Sequence, residues 1–339
     1  MRAARLETHE QLITAASELA GETIVALTPA GHGANSRVFR VDLGTRTLAL
    51  KSYPERRGDA RDRLETEWTA LHFLRSRGLL AVPAPIARDA TRRLMLMEWI
   101  GGANVARHSG SDLDDAMSFV IRVFELSGEA GIPRFESASE ACFSPAEILR
   151  QIDARLSGLR EHPTLDRFLE DEFFPALAEA RSIIAPGAAR SDELAHRFRR
   201  LIPADFGFHN ALRQSDGRLR FFDFDYFGWD DPVKLTADFI LHPAMTLSEG
   251  DKTLFAERIA AAFPDDAGFA QRLRLHLPLY ALRWALILLN AFRADRRHAL
   301  PADGATREAL LAGQIEKARA MCELAASYAK RSQTGSRMD

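Results

Sequence analysis

The apolar positions of this chain change period several times, and each change marks a new element. Over residues 8–19, Leu12, Ile13, Ala16 and Leu19 recur at helical spacing, which predicts an opening helix. Over 23–53 the period falls to two. Segments 23–30, 36–43 and 46–53 read there as three antiparallel strands, with a hairpin turn from Asp42 through Gly44 to Thr45. A helix over 59–77 follows, then a break at Val82-Pro83-Ala84-Pro85 and two further strands before Gly101-Gly102. Beyond residue 111 the helical period dominates, over 111–127, 144–159, 165–184, 191–200 and from 233 onward. Ser111, with Asp112, Asp114 and Asp115 behind it, and Ser144-Pro145-Ala146-Glu147 supply the start signals of two of these helices. One stretch interrupts them. Residues 202–232 read as two short strands around a turn at Ser215-Asp216-Gly217.

The pattern therefore predicts an α+β chain in two lobes: a small antiparallel sheet lobe over 1–97, a hinge at 98–102, and a larger, mainly helical lobe over 103–339. The length of 339 residues accommodates both. A net charge of −2 leaves no basic excess for neutralising a nucleic-acid backbone, so a general nucleic-acid binder is excluded. Cys142 and Cys322 are far apart and lack metal-ligand spacing, which points to a reducing cytoplasm. The opening residues MRAARLETHEQ carry no apolar signal-peptide core. The most apolar helix, over 277–292, contains Pro278 and Arg283 and is expected to be too short to span a bilayer, so no membrane partner is expected. Nothing in the sequence sets an oligomeric state.

The chemistry gathers in the interrupting hairpin, IPADFGFHNALRQSDGRLRFFDFDYFGWDDP. Asp205 and Asn210 have four residues between them, and Asp223 follows Asn210 by thirteen. An acid, a carboxamide and a second acid on one hairpin suit magnesium-dependent phosphoryl transfer. One carboxylate accepts the proton of the attacking hydroxyl, while the amide and the other carboxylate hold the metal on the phosphates. Upstream, Gly31 and Gly33 lie in the turn between the first two strands, where a backbone can pass close to phosphate oxygens. Lys51 ends the third strand, in position to bridge phosphates and an acid of the following helix. That helix offers Glu65 and Glu67. Glu67 stands four residues before Leu71 and seven before Leu74 and so shares the inward face.

The D-x-x-x-x-N segment, then Asp223-Phe224-Asp225, Asp231-Pro232 and Asp238, resembles the aminoglycoside phosphotransferase and choline kinase-like family. The resemblance covers roughly residues 20–295. It implies a two-lobed protein-kinase-like fold and an ATP- (or GTP-) and Mg²⁺-dependent kinase acting on a hydroxyl of a small molecule: a sugar, an amino sugar or an amino alcohol. Asp205 would be the catalytic base, Asn210 and Asp223 the metal ligands, and Lys51 held by Glu67 the phosphate anchor. Glu67 also fits the family's E-x-x-x-L pattern. Main-chain groups from Glu98 to Ile100 would recognise the adenine edge. Arg283 and Asn290, seven apart on one helix face, are read either as a structural pairing with an acid or as acceptor contacts. Asp225 is either a second metal ligand or solvent-facing. Where the family usually has His two residues before the catalytic Asp, this chain has Pro203 followed by Ala204, which leaves the loop geometry open. A Ser/Thr protein kinase and a non-catalytic nucleotide-binding regulator are the alternatives. The first lacks an Ala-Pro-Glu element after the metal loop.

Overall fold

The structure, a computed structural model, describes residues 8–32, 36–54, 61–159, 162–184, 193–293 and 303–334. Helix α1 (His9–Ala20) opens with a capping box between Thr8 and Gln11 and stops at Gly21. A five-stranded antiparallel sheet follows, built from β1 (Ala26–His32), β2 (Arg37–Asp42), β3 (Thr47–Ser52), β4 (Pro85–Asp89) and β5 (Leu94–Glu98), in the order β1-β2-β3-β5-β4. The alternation read in the sequence becomes a core: Val41, Leu48, Leu50, Leu94 and Leu96 pack against Leu12 and Ala16 of α1. Helix α2 (Arg63–Ser76) is capped by Asp62 and turns Glu67, Leu71 and Leu74 inward.

After the two-residue strand β6 (Ala103–Asn104), α3 (Gly110–Leu126) begins at a capping box on Ser109, two residues ahead of the expected Ser111. Asp112 is the reason, because its carboxylate accepts both the Ser109 hydroxyl and its main-chain N–H. Helix α4 (Pro145–Ser157) starts as expected, with Ser144 accepting the Glu147 N–H. The single helix expected over 165–184 is broken up. A 3-10 turn and α5 (Asp166–Phe168) lead through a π turn at Leu169–Phe173 into α6 (Phe174–Ser182). Pro175, without an N–H, cannot close the regular ladder there. The helix expected over 191–200 reduces, among the described residues, to one 3-10 turn at His196–Phe198 before strand β7 (Arg200–Ile202). Tertiary bonds claim that backbone: Leu194 N–H donates to Phe143 O at 2.7 Å, and Arg199 Nε donates to Leu194 O at 2.9 Å.

The hairpin consists of β8 (Ala211–Arg213) and β9 (Leu219–Phe221), with β6 pairing on the outer side of β8. Strand β10 (Gly228–Asp230) pairs with β7. Helices α7 (Pro232–Leu241), α8 (Glu249–Ala261), α9 (Phe269–Leu288) and α10 (Gly304–Thr334) complete the chain. Helix α9 packs against α4, α7 and α10 and is buried along most of its length. With the turn after it, Phe269–Phe292 is long and apolar enough to cross a membrane, contrary to the short helix expected, yet 72% of its apolar window is buried inside the protein.

The chain divides into two compact units, Met1–Ser139 with Leu201–Trp229, and Glu140–Arg200 with Asp230–Asp339. The first contains the sheet, α2, α3 and the β8–β9 hairpin. The second is helical.

Candidate active site

Strand β3 carries Lys51 into the interior of the first unit, where it is 2% exposed. Its Nζ lies 2.5 Å from Glu67 Oε2 and 2.5 Å from Asp223 Oδ1. Two residues on, Tyr53 projects to the same face and donates its hydroxyl to Glu67 Oε2 at 2.7 Å. The other Glu67 oxygen accepts the Phe224 main-chain N–H at 3.1 Å. Glu67 thus ties the sheet lysine to the segment that carries Asp223. Glu65 does not take part: it is exposed and engaged by Arg88 and Thr69.

Carboxylate oxygens of Glu67, Asp223 and Asp225 all lie within 4.8 Å of one another. Burial would lower the Lys51 pKa, but Asp223 and Glu67 overcome it and hold the ammonium charged far above its ordinary range. Asp225 is pushed up to about 7, chiefly by burial, with Lys51 opposing. Its counter-charge is Arg63 in the first turn of α2, at 3.6 Å, and both side chains are 2% exposed. Arg63 also donates to Pro54 O at 2.7 Å. The solvent-facing option for Asp225 is therefore removed. A cluster of hard oxygen donors carrying more negative than positive charge fits a divalent cation such as Mg²⁺.

Asp205 and Asp223 both take positive φ, 63° and 72°, a conformation that aspartate tolerates better than most residues. Asn210 Nδ2 donates to Asp205 O at 2.9 Å, so the other end of the amide is an acceptor oxygen, a group able to ligate a hard cation. Phe222 N–H donates to Asn210 O at 3.0 Å and binds the 205–210 turn to the strand leading into Asp223. His209 Nε2 stands 3.3 Å from Asp205 Oδ1. Where Pro203 left the loop geometry open, aromatic packing sets it. Phe119 of α3 stacks on Phe206 at 5.6 Å and meets Phe221 at 4.6 Å, while His108 stacks on Phe208.

The 98–102 stretch is fastened to the same hairpin. Glu98 N–H donates to Ala84 O at 2.8 Å, so this N–H is already engaged and is not one of the main-chain groups open to the expected adenine contact. The Glu98 side chain accepts two bonds from Arg220 and one from Ala84 N–H. Gln214 donates to Gly101 O at 2.5 Å. Gly102 has φ 131°, and a Cβ there would lie 2.7 Å from Arg213 O, so only glycine admits this approach. Gly228 serves likewise behind the Asp223–Asp225 segment, where a Cβ would stand 2.5 Å from Glu136 O.

Gly31 lies in β1 at a register shift and pairs with Val38; Gly33 is outside the described residues. Arg283, in the second unit, is 4% exposed and donates to Gln151, Asp238 and Glu140. That is the structural pairing of the two alternatives. Helix α9 ends at Leu288 and Asn290 sits in the following 3-10 turn, so the shared helix face inferred from their spacing does not form. Asp231 caps α7 and accepts Arg272, while Asp238 accepts Lys234 and Trp284. Sequence reasoning missed Tyr53, Arg63, His209, Gln214 and Arg220. Tyr53 alone carried a signal, its i+2 spacing from Lys51.

Residues 26–276 match the model of the phosphotransferase enzyme family. No curated protein matches the sequence. Among solved structures, the chain is similar to a thermostable mutant of the aminoglycoside phosphotransferase APH(4)-Ia in ternary complex with AMP-PNP and hygromycin B. Identity is 18% over 92% of this chain and 97% of that one, with a TM-score of 0.55. Spectinomycin phosphotransferase APH(9)-Ia with ADP and spectinomycin aligns at 12% identity over 94% and 99%, with a TM-score of 0.60. A choline kinase from Cryptosporidium parvum Iowa II aligns at 10% over 89% and 91%, with a TM-score of 0.57. At these identities the likeness is one of fold, a two-lobed protein-kinase-like arrangement of an antiparallel sheet lobe and a larger helical lobe.

Proposed function

Because this chain belongs to the phosphotransferase enzyme family, we propose that it transfers the terminal phosphoryl group of ATP to a hydroxyl of a small molecule. The observation that carries the reading is Lys51, held between Glu67 and Asp223 at 2.5 Å from each. An ammonium has three N–H donors. Two serve these carboxylates, and the third is left for a phosphate oxygen. Asp205, 44% exposed at its side chain, accepts the acceptor's hydroxyl proton. The hydroxyl oxygen bonds to the terminal phosphorus, the bond to the bridging oxygen breaks, and ADP leaves.

Asn210 and Asp223, with Asp225 behind them, would hold Mg²⁺, which when bound neutralises charge on the phosphate oxygens. Residues 98–102 would mark the functional boundary between nucleotide and catalytic lobes, with adenine read by main-chain groups through Ile100. GTP is the alternative donor, and it would meet these main-chain groups with the donor and acceptor of its edge exchanged. The structural neighbours bind hygromycin B or spectinomycin, or are choline and ethanolamine kinases. Amino sugars and amino alcohols are therefore the first acceptors to offer, followed by neutral sugars. A cytoplasmic setting suits this chemistry and the two buried free cysteines.

The test is ADP formation over such an acceptor panel, with and without chelator. Turnover with one acceptor that vanishes on chelation is expected. Phosphate appearing only on peptide Ser or Thr, or ATP stabilising the protein equally with and without Mg²⁺, would overturn the proposal.

A further inference from the structure

A cleft between α8 and the first turns of α9 lies wholly within the helical unit and contains none of the groups assigned above. Its volume is about 480 Å³, inside the roughly 300–1,000 Å³ of small-molecule sites. Thr253, Ala256, Glu257 and Ala260 face it from α8, at the three- and four-residue spacing of one helix face. Phe269, Ala270, Leu273 and Arg274 face it from α9. Phe269 and Leu273 are buried and supply an apolar floor, and the alanines are too short to fill the space beside it. The walls are fixed by packing. Phe263 stacks on Phe269 at 5.6 Å, and Phe255 of α8 stacks on Phe239 of α7 at 3.8 Å.

Two opposite charges line this cleft without partners. Arg274 Nε is buried and has no hydrogen-bond partner among the described residues, and no described carboxylate pairs with the guanidinium. Two residues earlier, Arg272 has its fork filled by Asp231 and Asp266. A guanidinium stays charged, matches a carboxylate in its planar fork, and is costly to bury with a donor unmade. Glu257 likewise has no hydrogen-bond or ion-pair partner among the described residues. A plain anion in the cleft would meet Glu257, and a plain cation would meet Arg274. A molecule that carries both charges on an apolar body suits both.

We infer that this cleft binds an apolar α-amino acid as its zwitterion: the carboxylate on Arg274, the ammonium toward Glu257, and the side chain against Phe269 and Leu273. Leucine and phenylalanine represent the class. Neither carries an alcohol, so the cleft is a second site and not that of the phosphoryl acceptor.

The test is calorimetric titration of the full chain, without nucleotide, with L-phenylalanine, L-leucine, 3-phenylpropionate and phenethylamine. Both amino acids should bind. Each analogue lacking one charge should bind at least about tenfold more weakly than phenylalanine, the size of one lost charged hydrogen bond. Arg274→Met keeps much of the side chain's length and should weaken phenylalanine by a similar factor. Glu257→Gln should weaken phenylalanine about tenfold and leave 3-phenylpropionate unchanged or tighter. Ala270→Leu keeps both charges and fills the cleft, so it should weaken every ligand. Glu257 and Ala270 are exposed, so these two variants report even if Arg274→Met folds poorly. Absence of binding by both amino acids overturns the inference, as does either analogue binding as tightly as phenylalanine. Phenylalanine affinity unchanged in Glu257→Gln and Ala270→Leu would place the ligand elsewhere and overturn it as well.

Discussion

Arg220 of β9 places two guanidinium nitrogens on the Glu98 carboxylate, at 2.5 and 2.8 Å, across 122 residues of sequence. A forked pair of this kind fixes orientation as well as distance. The Arg220 bonds hold the Glu98 pKa below its ordinary value, against a smaller opposing effect of burial. Arg220 also donates to Val82 O at 2.8 Å. The hairpin that leads into Asp223 therefore grips the end of β5 directly, and Gln214 grips Gly101 beside it.

Arg220→Met should accordingly loosen the nucleotide edge while sparing the reacting groups. KM for ATP is expected to rise about tenfold, the size of one well-ordered charged bond, with kcat nearly unchanged. Arg220→Lys should recover little, because a point charge cannot reproduce the fork. Steady-state kinetics on the three proteins checks this, and a loss confined to kcat would contradict it.

Lys51 is the cation in direct contact with Glu67 and Asp223, while Arg63 faces Asp225, so removing Lys51 should act on stability as well as on the proposed phosphate contact. Breaking a buried pair from one side leaves an uncompensated charge and costs roughly 3–5 kcal/mol. Lys51→Met should melt well below the wild type, and Mg²⁺ without nucleotide should raise its melting temperature more than the wild type's. The double variant with Glu67→Gln should be far from additive, since the residues share one contact. Strictly additive losses, or equal Mg²⁺ effects, would show that the cluster does not act as a unit.

The pairing of Lys51 and Glu67 was legible because periodicity fixes direction. Alternation along β3 turns Lys51 inward, and Leu71 and Leu74 turn Glu67 inward with it. The spacing of Asp205, Asn210 and Asp223 was legible because one hairpin carries all three. Arg63 was not, since a charged residue in a first helical turn reads as solvent-facing until Asp225 appears beside it. The Arg220–Glu98 fork joins residues too far apart for any local pattern to relate. Asn290 misled because spacing defines a face only while the helix continues, and α9 stops at Leu288.

Two acids of the helical unit should give its stability opposite pH limbs. Burial pushes Asp230 up to about 7, Lys234 opposing, and its Oδ2 has no hydrogen-bond partner among the described residues. A folded value above the ordinary 3.8 means that the folded state binds the proton more tightly. Its contribution therefore rises as pH falls through 7 and levels off near 3.8. Glu140 is the reverse case. Burial would raise it, but Arg283 and Arg155 overcome that and hold it at about 2, against an ordinary 4.5. Its contribution is complete above 4.5 and is lost as pH falls toward 2. Melting temperature against pH should show both limbs. Asp230→Asn should lessen the upper limb, to which Asp225 also contributes, and Glu140→Gln should lessen the lower alone; an unchanged limb in the matching variant would rule out that assignment.

Asp205 and Asn210 occupy one turn and should nonetheless fail differently. Asp205→Asn keeps the size and much of the hydrogen bonding of the side chain but cannot take a proton. Affinity for ATP and Mg²⁺ should change little, while transfer slows by at least the ~10²-fold typical of losing a general base, about 3 kcal/mol of barrier. Asn210→Ala removes the proposed oxygen ligand and also releases Asp205 O from its 2.9 Å bond. Its first effect should be a higher Mg²⁺ requirement, with a lower kcat persisting at saturating metal because the turn under Asp205 is no longer braced. Turnover as a function of Mg²⁺, measured beside nucleotide affinity for both variants, separates the two. If Asp205→Asn retains near-normal turnover, or if Asn210→Ala shows the wild-type metal dependence, the division of labour within this turn is wrong.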